Sequence, residues 1–386
     1  MQYRHPVNKD KQWVDWRDPV RREELFYLWV KWRVKWHDID QCIITNGYAE
    51  SQLSPTKKPM TKEQRCWFSM IYGMTYQATM SWIIYSYFPN FGDINLKDAE
   101  AWTNQTYRRQ KYNKDCRYNQ GKFHLQLKSI QEAVRPYGSL TAYFDRLVVD
   151  CEHQSFNNFY NAIQPFYKFG RMTTWLACQA LFETANYPIR PKSVLASHPA
   201  NWSVRSGLYQ LFNRPEKKKS FNKDDVNWIK QKEDEVYKKS LEFVDLQSRP
   251  TWSNFQLESL ICQYKKLVLG NEYSGLNTSN NLTYVKAMEQ KWKSVNFTPF
   301  HETNRKHMHP LFRNYCVSQP LKKLSGLTGQ LINLHQDFEF MPDMYKELGI
   351  SPQILKSPKH VPILKKRIAS YQKYQSQRFG RYPRQI

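Results

Sequence analysis

A mainly α fold, organised as a multi-helix domain, is what this sequence predicts, and three observations carry that expectation. Apolar residues recur at the i, i+3, i+4, i+7 spacing in stretch after stretch, capping boxes mark helix starts, and alternating runs of strand length are too few to build a sheet. Residues 21–37, RREELFYLWVKWRVKWH, set aromatic and aliphatic groups at helical spacing among basic ones. Thr61-Lys62-Glu63-Gln64 is a capping box, and the pattern behind it predicts one long helix that ends before Pro89. Further helices are expected near 122–133, 140–149, 170–185, 222–245, 282–293 and 359–377. The 222–245 stretch mixes acids and bases on a long polar helix, as a solvated face does. Loops are expected at 186–201, 270–281 and 349–362, the last with three prolines.

A second capping box, Ser253 to Gln256, opens the helix that reads LESLICQYKKLVLG at 257–270. Leu257, Leu260, Ile261, Tyr264, Leu267 and Val268 form its apolar face. Glu258, Cys262 and Lys265 form a second stripe that lies beside this face and not opposite it, so an acid, a thiol and an ammonium should sit half buried along one edge. Such an edge can face a cleft, or it can be the charged margin of an ordinary core helix.

The 386 residues hold 58 Lys and Arg against 34 Asp and Glu, a net charge of +24, and aromatics make up 15%. Excess positive charge opposes compaction and attracts polyanions, and nucleic acid fits better than a membrane surface. No apolar run approaches the roughly 18 residues of a membrane span. The N-terminus, MQYRHPVNKDKQW, has no apolar signal core, so the cytoplasm is the expected compartment. Seven scattered cysteines (42, 66, 116, 151, 178, 262, 316) form no C-x-x-C pair, which suits reduced thiols and not a disulfide or Cys-rich zinc framework.

Two segments read as nucleic-acid footprints. In 107–128, Arg108, Arg109, Lys111, Lys114, Arg117, Lys122 and Lys128 face a single acid, Asp115. After Glu347 no acid follows, while Lys356, Lys359, Lys365, Lys366, Arg367, Lys373, Arg378, Arg381 and Arg384 alternate with Tyr371, Tyr374, Phe379 and Tyr382. Phosphate contact combined with base stacking needs that mixture. A basic surface with a frayed tail is the plainer reading. His301, His307 and His309, with Glu302 and Cys316, lack the regular spacing of a zinc site, and no metal site is assigned. Gly326 and Gly329 in LSGLTGQLINLHQDF (324–338) have two residues between them where a helix-hairpin-helix turn has one, so an ordinary turn competes with a phosphate-binding hairpin. Walker loops, dinucleotide fingerprints, H-E-x-x-H and G-x-S-x-G are absent from the sequence.

Three separated stretches resemble one family in both content and order. TKEQRCWFSMIYGMTYQATMSWIIYSYFP (61–89) supplies Glu63, Gln64, Trp67, Tyr72, Gly73, Thr75 and Tyr76 of an N-terminal signature. FGRMTTWLACQALFE (169–183) resembles a Gly-Arg helix start, and WSVRSGL (202–208) an Arg-x-Gly-Leu turn. LESLICQYKKL (257–267) resembles a Leu-Glu-Ser, Leu-Cys, Tyr-Lys-Lys helix. The family is that of the bacteriophage amino acid:DNA transferases, also called α-glutamyl/putrescinyl thymine pyrophosphorylases, and the resemblance spans about residues 20 to 290. Leu260 stands where the family pattern has Thr, and the loop after Tyr273 lacks the acids of that pattern, which leaves the transferred amine open.

The resemblance implies an all-helical fold distantly akin to helix-hairpin-helix DNA glycosylases. It also implies chemistry on 5-hydroxymethyluracil that has been activated within double-stranded DNA. An amino acid or polyamine would displace the (pyro)phosphate, leaving hypermodified thymine. It names no certain cofactor and leaves a Mg²⁺ requirement open. Set against that reaction, Glu258 is the first choice of base and Glu63 the second, with Lys265 near phosphate. Arg171 and Arg205 would hold the leaving group, Lys266 would also bind substrate, and Trp67, Tyr72 or Tyr76 would hold a flipped base. Arg108, Arg109, Lys111, Arg117, Lys365, Lys366 and Arg367 would contact DNA. The organisation expected is a helical catalytic domain over 1–348, as one body or two packed lobes meeting near 186–201, and a basic DNA-binding extension over 349–386. A non-catalytic helical DNA-binding protein, or a glycosylase using Asp337 or Asp343, are the competing readings.

Duplex binding should therefore weaken steeply with salt. Deletion of residues 351–386 should flatten the log-log salt plot by roughly 0.9 for each phosphate that the tail neutralises. An unchanged slope in a fluorescence-anisotropy titration would place the tail off the DNA.

Overall fold

The structure is a computed structural model that describes residues 5–7, 12–14, 22–35, 59–113, 115–215, 222–268, 284–285 and 287–298. Among these residues it is mainly helical. One two-stranded antiparallel ribbon, His5–Val7 with Gln12–Val14, pairs His5 with Val14 and Val7 with Gln12. The helices are α1 (Arg22–Lys35), α2 (Lys62–Thr75), α3 (Ala78–Tyr87), α4 (Leu96–Thr106), α5 (Phe123–Val134) and α6 (Leu140–Asp145). They continue with α7 (Glu152–Ile163), α8 (Arg171–Glu183), α9 (Trp202–Leu211), α10 (Lys223–Phe243) and α11 (Asn254–Val268). The expected helix at 359–377, the hairpin segment 324–338 and the His301, His307 and His309 cluster lie outside the described residues.

At the centre, α2 is buried from Cys66 to Thr75 and α8 over almost its whole length. Helices without a solvated face belong inside a domain. They cross where Gly73 meets Ala177: a Cβ on Gly73 would stand 2.7 Å from the Ala177 Cβ. The Tyr-Gly of the N-terminal signature is thus a close-packing device. Trp67, Phe91 and Phe123 pack around one end of α2, and Trp175, Phe156 and Phe255 join α8 to α7 and α11. On the other side, α1 lies on α9, α10 and α11 through the Phe26 and Trp29 contacts with Tyr264 and the Tyr27 stack on Phe243.

The single long helix expected over 61–88 is two helices. The Thr61–Gln64 capping box is present, with Thr61 Oγ1 accepting from the Gln64 N–H at 3.2 Å and Gln64 Oε1 from the Thr61 N–H at 3.0 Å. The chain then breaks at Tyr76, which adopts left-handed φ 45°, and Gln77 is extended. That conformation costs a non-glycine residue roughly 1–2 kcal/mol. It is offset by a bond from the Tyr76 N–H to Tyr72 O at 2.7 Å and by Thr75 Oγ1, which accepts from the Gln77 N–H and lies 2.8 Å from Ser81 Oγ. WSVRSGL, expected as a turn, is the first two turns of α9. Its glycine packs directly on α11, since a Cβ on Gly207 would stand 2.6 Å from Ile261 Cγ2 and closer still to the Ile261 carbonyl. α4 and α7 fall outside the expected helices, although α7 buries Phe156, Phe159 and Ile163 at helical spacing. α10, read as a solvated helix, buries Asp225 and Glu233.

Both glycines predict a measurable cost. Helix propensity favours Ala over Gly by about 1 kcal/mol, yet Gly73→Ala and Gly207→Ala should each lose roughly 1–3 kcal/mol in chemical denaturation, because the added methyl must push two packed backbones apart. Unchanged or raised stability would mean that the helices at these crossings can move apart at no cost.

Candidate active site

The site begins at the exposed start of α8. Gly170 caps this helix in an extended conformation and is exposed, and Arg171 is its first residue. A helix start at the surface offers backbone N–H groups and the positive end of the macrodipole to an anion. The Arg171 side chain folds back against α11: its Nη2 lies 3.8 Å from Glu258 Oε1 and donates to Asn201 Oδ1 at 3.1 Å. Both members of the ion pair are largely buried, with side-chain exposures of 12% and 9%. At 3.8 Å the pair is too long for a direct hydrogen bond, and Arg171 Nη1 is buried with no hydrogen bond to any protein group. One edge of this guanidinium is therefore not committed to the protein.

The second wall is the connection before α9. Buried Asn201 donates its amide to Val194 O at 2.8 Å, which presents its Oδ1 to Arg171. Arg205, one turn later and only 2% exposed, donates from Nη1 to the carbonyls of Ala196 at 3.1 Å and His198 at 3.2 Å. His198 Nδ1 accepts from the Ala200 N–H at 3.1 Å. Partial burial, then the charges of Arg171 and Arg205, hold the imidazole below its usual range and so favour the neutral ring. Beneath this loop sits Glu233 of α10, which accepts from the Ala196 N–H. Segment 186–201 is thus an ordered wall of the site and carries more than a linker would.

Along α11 the polar stripe meets a partner at each step. Glu258 meets Arg171, Cys262 Sγ lies 2.9 Å from Ser203 Oγ, and Lys265 Nζ lies 3.5 Å from the centroid of the Trp202 ring. The edge therefore faces the beginnings of α8 and α9. Glu258, Arg171 and Arg205, from three distant segments, share one cluster with Asn201 and His198. Lys265 stands two turns from Glu258, about 10 Å along the axis, and belongs to the rim.

Other expected site residues are engaged elsewhere. Glu63 caps α6: its Oε1 accepts from the Leu140 N–H at 2.9 Å, and its Oε2 from the Thr141 N–H and hydroxyl, both at 2.7 Å. A carboxylate satisfied in this way is a structural anion, which removes Glu63 as a base. Trp67 is fully buried and donates its indole N–H to Phe88 O at 2.7 Å, and Tyr72 is fully buried beside Tyr76, so neither presents a ring face to a base. Tyr76 is partly exposed but serves as the left-handed break. Arg205 is fixed by loop carbonyls and contributes charge without offering its fork. Lys266 lies in α11 with its side chain outside the described residues, as do Lys365, Lys366 and Arg367 altogether.

Arg108, Arg109, Lys111 and Arg117 are exposed. Arg109 lies over Trp292 at 4.3 Å and Lys111 over Tyr284 at 4.8 Å; although the Lys111 residue is exposed as a whole, desolvation of its ammonium, then Lys291, lowers its pKa. The basic segment reaches the site through Tyr118, whose hydroxyl lies 2.8 Å from Thr173 Oγ1 in the first turn of α8. The residues that sequence reasoning missed are Asn201, His198 and Glu233. The first two lie in a stretch rich in loop formers, and Glu233 is one acid among many on α10. Among the described residues no group of three or more His, Cys, Asp or Glu side chains could hold a metal ion, and no helix is long and apolar enough to cross a membrane.

Burial pushes the Glu233 carboxyl from an ordinary 4.5 up to about 7, against the pull of the Ala196 and Ser193 hydrogen bonds and Lys230. Between those values the folded chain keeps a proton that the unfolded chain has released, so stability falls as pH rises through this window and levels off above it. Glu233→Gln has no such component. Urea melts should show the variant gaining on the parent between about pH 5 and about pH 8. A constant difference would mean that Glu233 titrates normally.

The profile described as amino acid:DNA transferase matches residues 52–273, a span that runs from before α2 to beyond α11 and holds every residue of the cluster. A serinyltransferase of Salmonella phage ViI is 22% identical over 231 residues, which are 58% of this chain and 56% of that protein. The chain thus spans about half the length of this curated relative. No solved structure matches it. With a profile match over more than half of its length, the chain belongs to the amino acid:DNA transferase family.

Proposed function

We propose that the chain transfers an amino acid, through its amine, onto an activated thymine-type base in DNA, and that the Arg171–Glu258 cluster is where the exchange takes place. The activated group is a phosphate or pyrophosphate ester of 5-hydroxymethyluracil. The amine nitrogen attacks the exocyclic methylene carbon, the carbon–oxygen bond breaks, and its electron pair leaves with the (pyro)phosphate. The amine proton passes to Glu258. The name of the phage relative makes serine the first amine to test.

The observation that carries this reading is the loose pairing of Glu258 with Arg171 at an exposed helix start. A phosphate at that position would meet the α8 N–H groups and, once the buried Arg171 side chain turns towards it, the guanidinium in a charge-assisted contact. Buried Arg205 adds a second fixed positive charge without having to move. Phosphate binding would draw Arg171 away from Glu258, and a carboxylate that loses its cation becomes a better base. The leaving group would thereby prepare the base that activates the amine. Arg117, exposed and next to Tyr118 at the first turn of α8, would then meet the flanking DNA backbone.

Incubation of the chain with activated DNA and serine, followed by nucleoside mass analysis and phosphate assay, tests the reading. Glu258→Gln should lower turnover by roughly 10²–10⁴ near neutral pH and recover in part as pH rises and more free amine is present. Arg171→Ala should slow turnover while leaving duplex affinity nearly intact. Full activity in either variant, release of a free base as by a glycosylase, or no product with any amine would overturn it.

A further inference from the structure

A base held outside the duplex needs a ring to lie against, and the aromatic residues that the sequence offered for this task, Trp67 and Tyr72, are fully buried in the core. Trp202 is not: it is 40% exposed, although it opens α9 directly beside the cluster. Its neighbours in the chain are both tied to the site, Asn201 to Arg171 and Ser203 to Cys262. The backbone on either side of Trp202 is therefore anchored to the site. Lys265 reaches across from α11 with its ammonium 3.5 Å from the ring centroid. Leaving two-fifths of a tryptophan in water forgoes apolar burial, and a cation over the ring is a contact that also suits a phosphate-bearing ligand.

We infer that Trp202 is the stacking platform, through the face opposite Lys265, for a single nucleobase displaced from DNA at the mouth of the site, with Lys265 as the cation that meets the adjoining phosphate. Every base has a π-face, so such a platform accepts any base and leaves the choice of target to the cluster within. Stacking and phosphate contact together are how proteins hold an unpaired nucleotide without reading its sequence. The inference rests on the reading that this chain acts on DNA bases, but it concerns binding and requires no chemistry.

The test uses the full chain and three DNA probes: a single-stranded oligothymidine, a duplex with one central T·T mismatch, and the matched duplex. Trp202→Leu keeps apolar bulk without a ring, and Trp202→Phe keeps a smaller ring. Affinity for the single strand and the mismatched duplex should fall about tenfold in Trp202→Leu and within about threefold in Trp202→Phe, while the matched duplex is bound as before. Equal binding by Trp202→Leu, equal losses in both variants, or an equal loss on the matched duplex would overturn the inference. Photo-cross-linking of the unsubstituted chain to a single strand carrying one 5-iodouracil gives a readout free of any folding defect. The cross-link should map to Trp202, and one that maps only to other residues sinks the proposal. A failure here leaves the Glu258 test untouched, and inactive Glu258 chemistry leaves these affinities to be judged alone.

Discussion

The candidate site depends on how closely α9 lies on α11. Gly207 has no side chain to hold the two backbones apart, so Ile261 presses against it. The start of α9 is thereby brought against the polar edge of α11, where Ser203 meets Cys262 and Trp202 meets Lys265. Arg205, two residues before the glycine, is carried into the protein with 2% exposure and ties down the loop that holds His198. A bulkier residue at the crossing would move α9 outward and loosen each of these contacts together, because packed interiors transmit displacement with little damping.

Around that crossing the charges have separate uses. Arg205 commits Nη1 to two carbonyls and acts as a fixed source of positive potential. Arg171 is held by Asn201 on one edge and faces Glu258 across 3.8 Å. A pair at that separation in a largely buried setting attracts without a direct hydrogen bond. Ion pairs taken out of water recover their desolvation cost poorly when geometry is loose, so this pair is a weak device for stability and a suitable one for a binding event that rearranges it. Glu233, below the loop, shows the opposite use: a carboxyl pushed up by burial and devoted to the backbone that supports Arg205.

The basic segment 107–128 is coupled to the same place. Tyr118 bonds to Thr173 two residues beyond Arg171, and Arg109 and Lys111 lie on rings of the 284–298 stretch. The exposed Arg108, Arg109, Lys111 and Arg117 thus belong to a segment that is tied to the first turn of α8.

What the sequence determined by itself was local. The period of its apolar residues, the Thr61–Gln64 box and the acid-thiol-ammonium stripe at Glu258, Cys262 and Lys265 were legible because helical spacing and capping involve residues within one or two turns. The order of three short motifs was enough to indicate the family. Tertiary structure alone decided which partner each polar group meets. Glu63 and Glu258 look alike as acids on amphipathic helices, but Glu63 is engaged by the start of α6, 77 residues away. Trp67 and Trp202 look alike as tryptophans within family-like motifs, but one fills the core and the other stands on the rim. The left-handed break at Tyr76 and the burial of Glu233 under the 193–198 loop escape a reading of spacing for the same reason. Each is set by groups that are distant in the chain and adjacent in space, where hydrogen bonding and desolvation decide the state of a side chain.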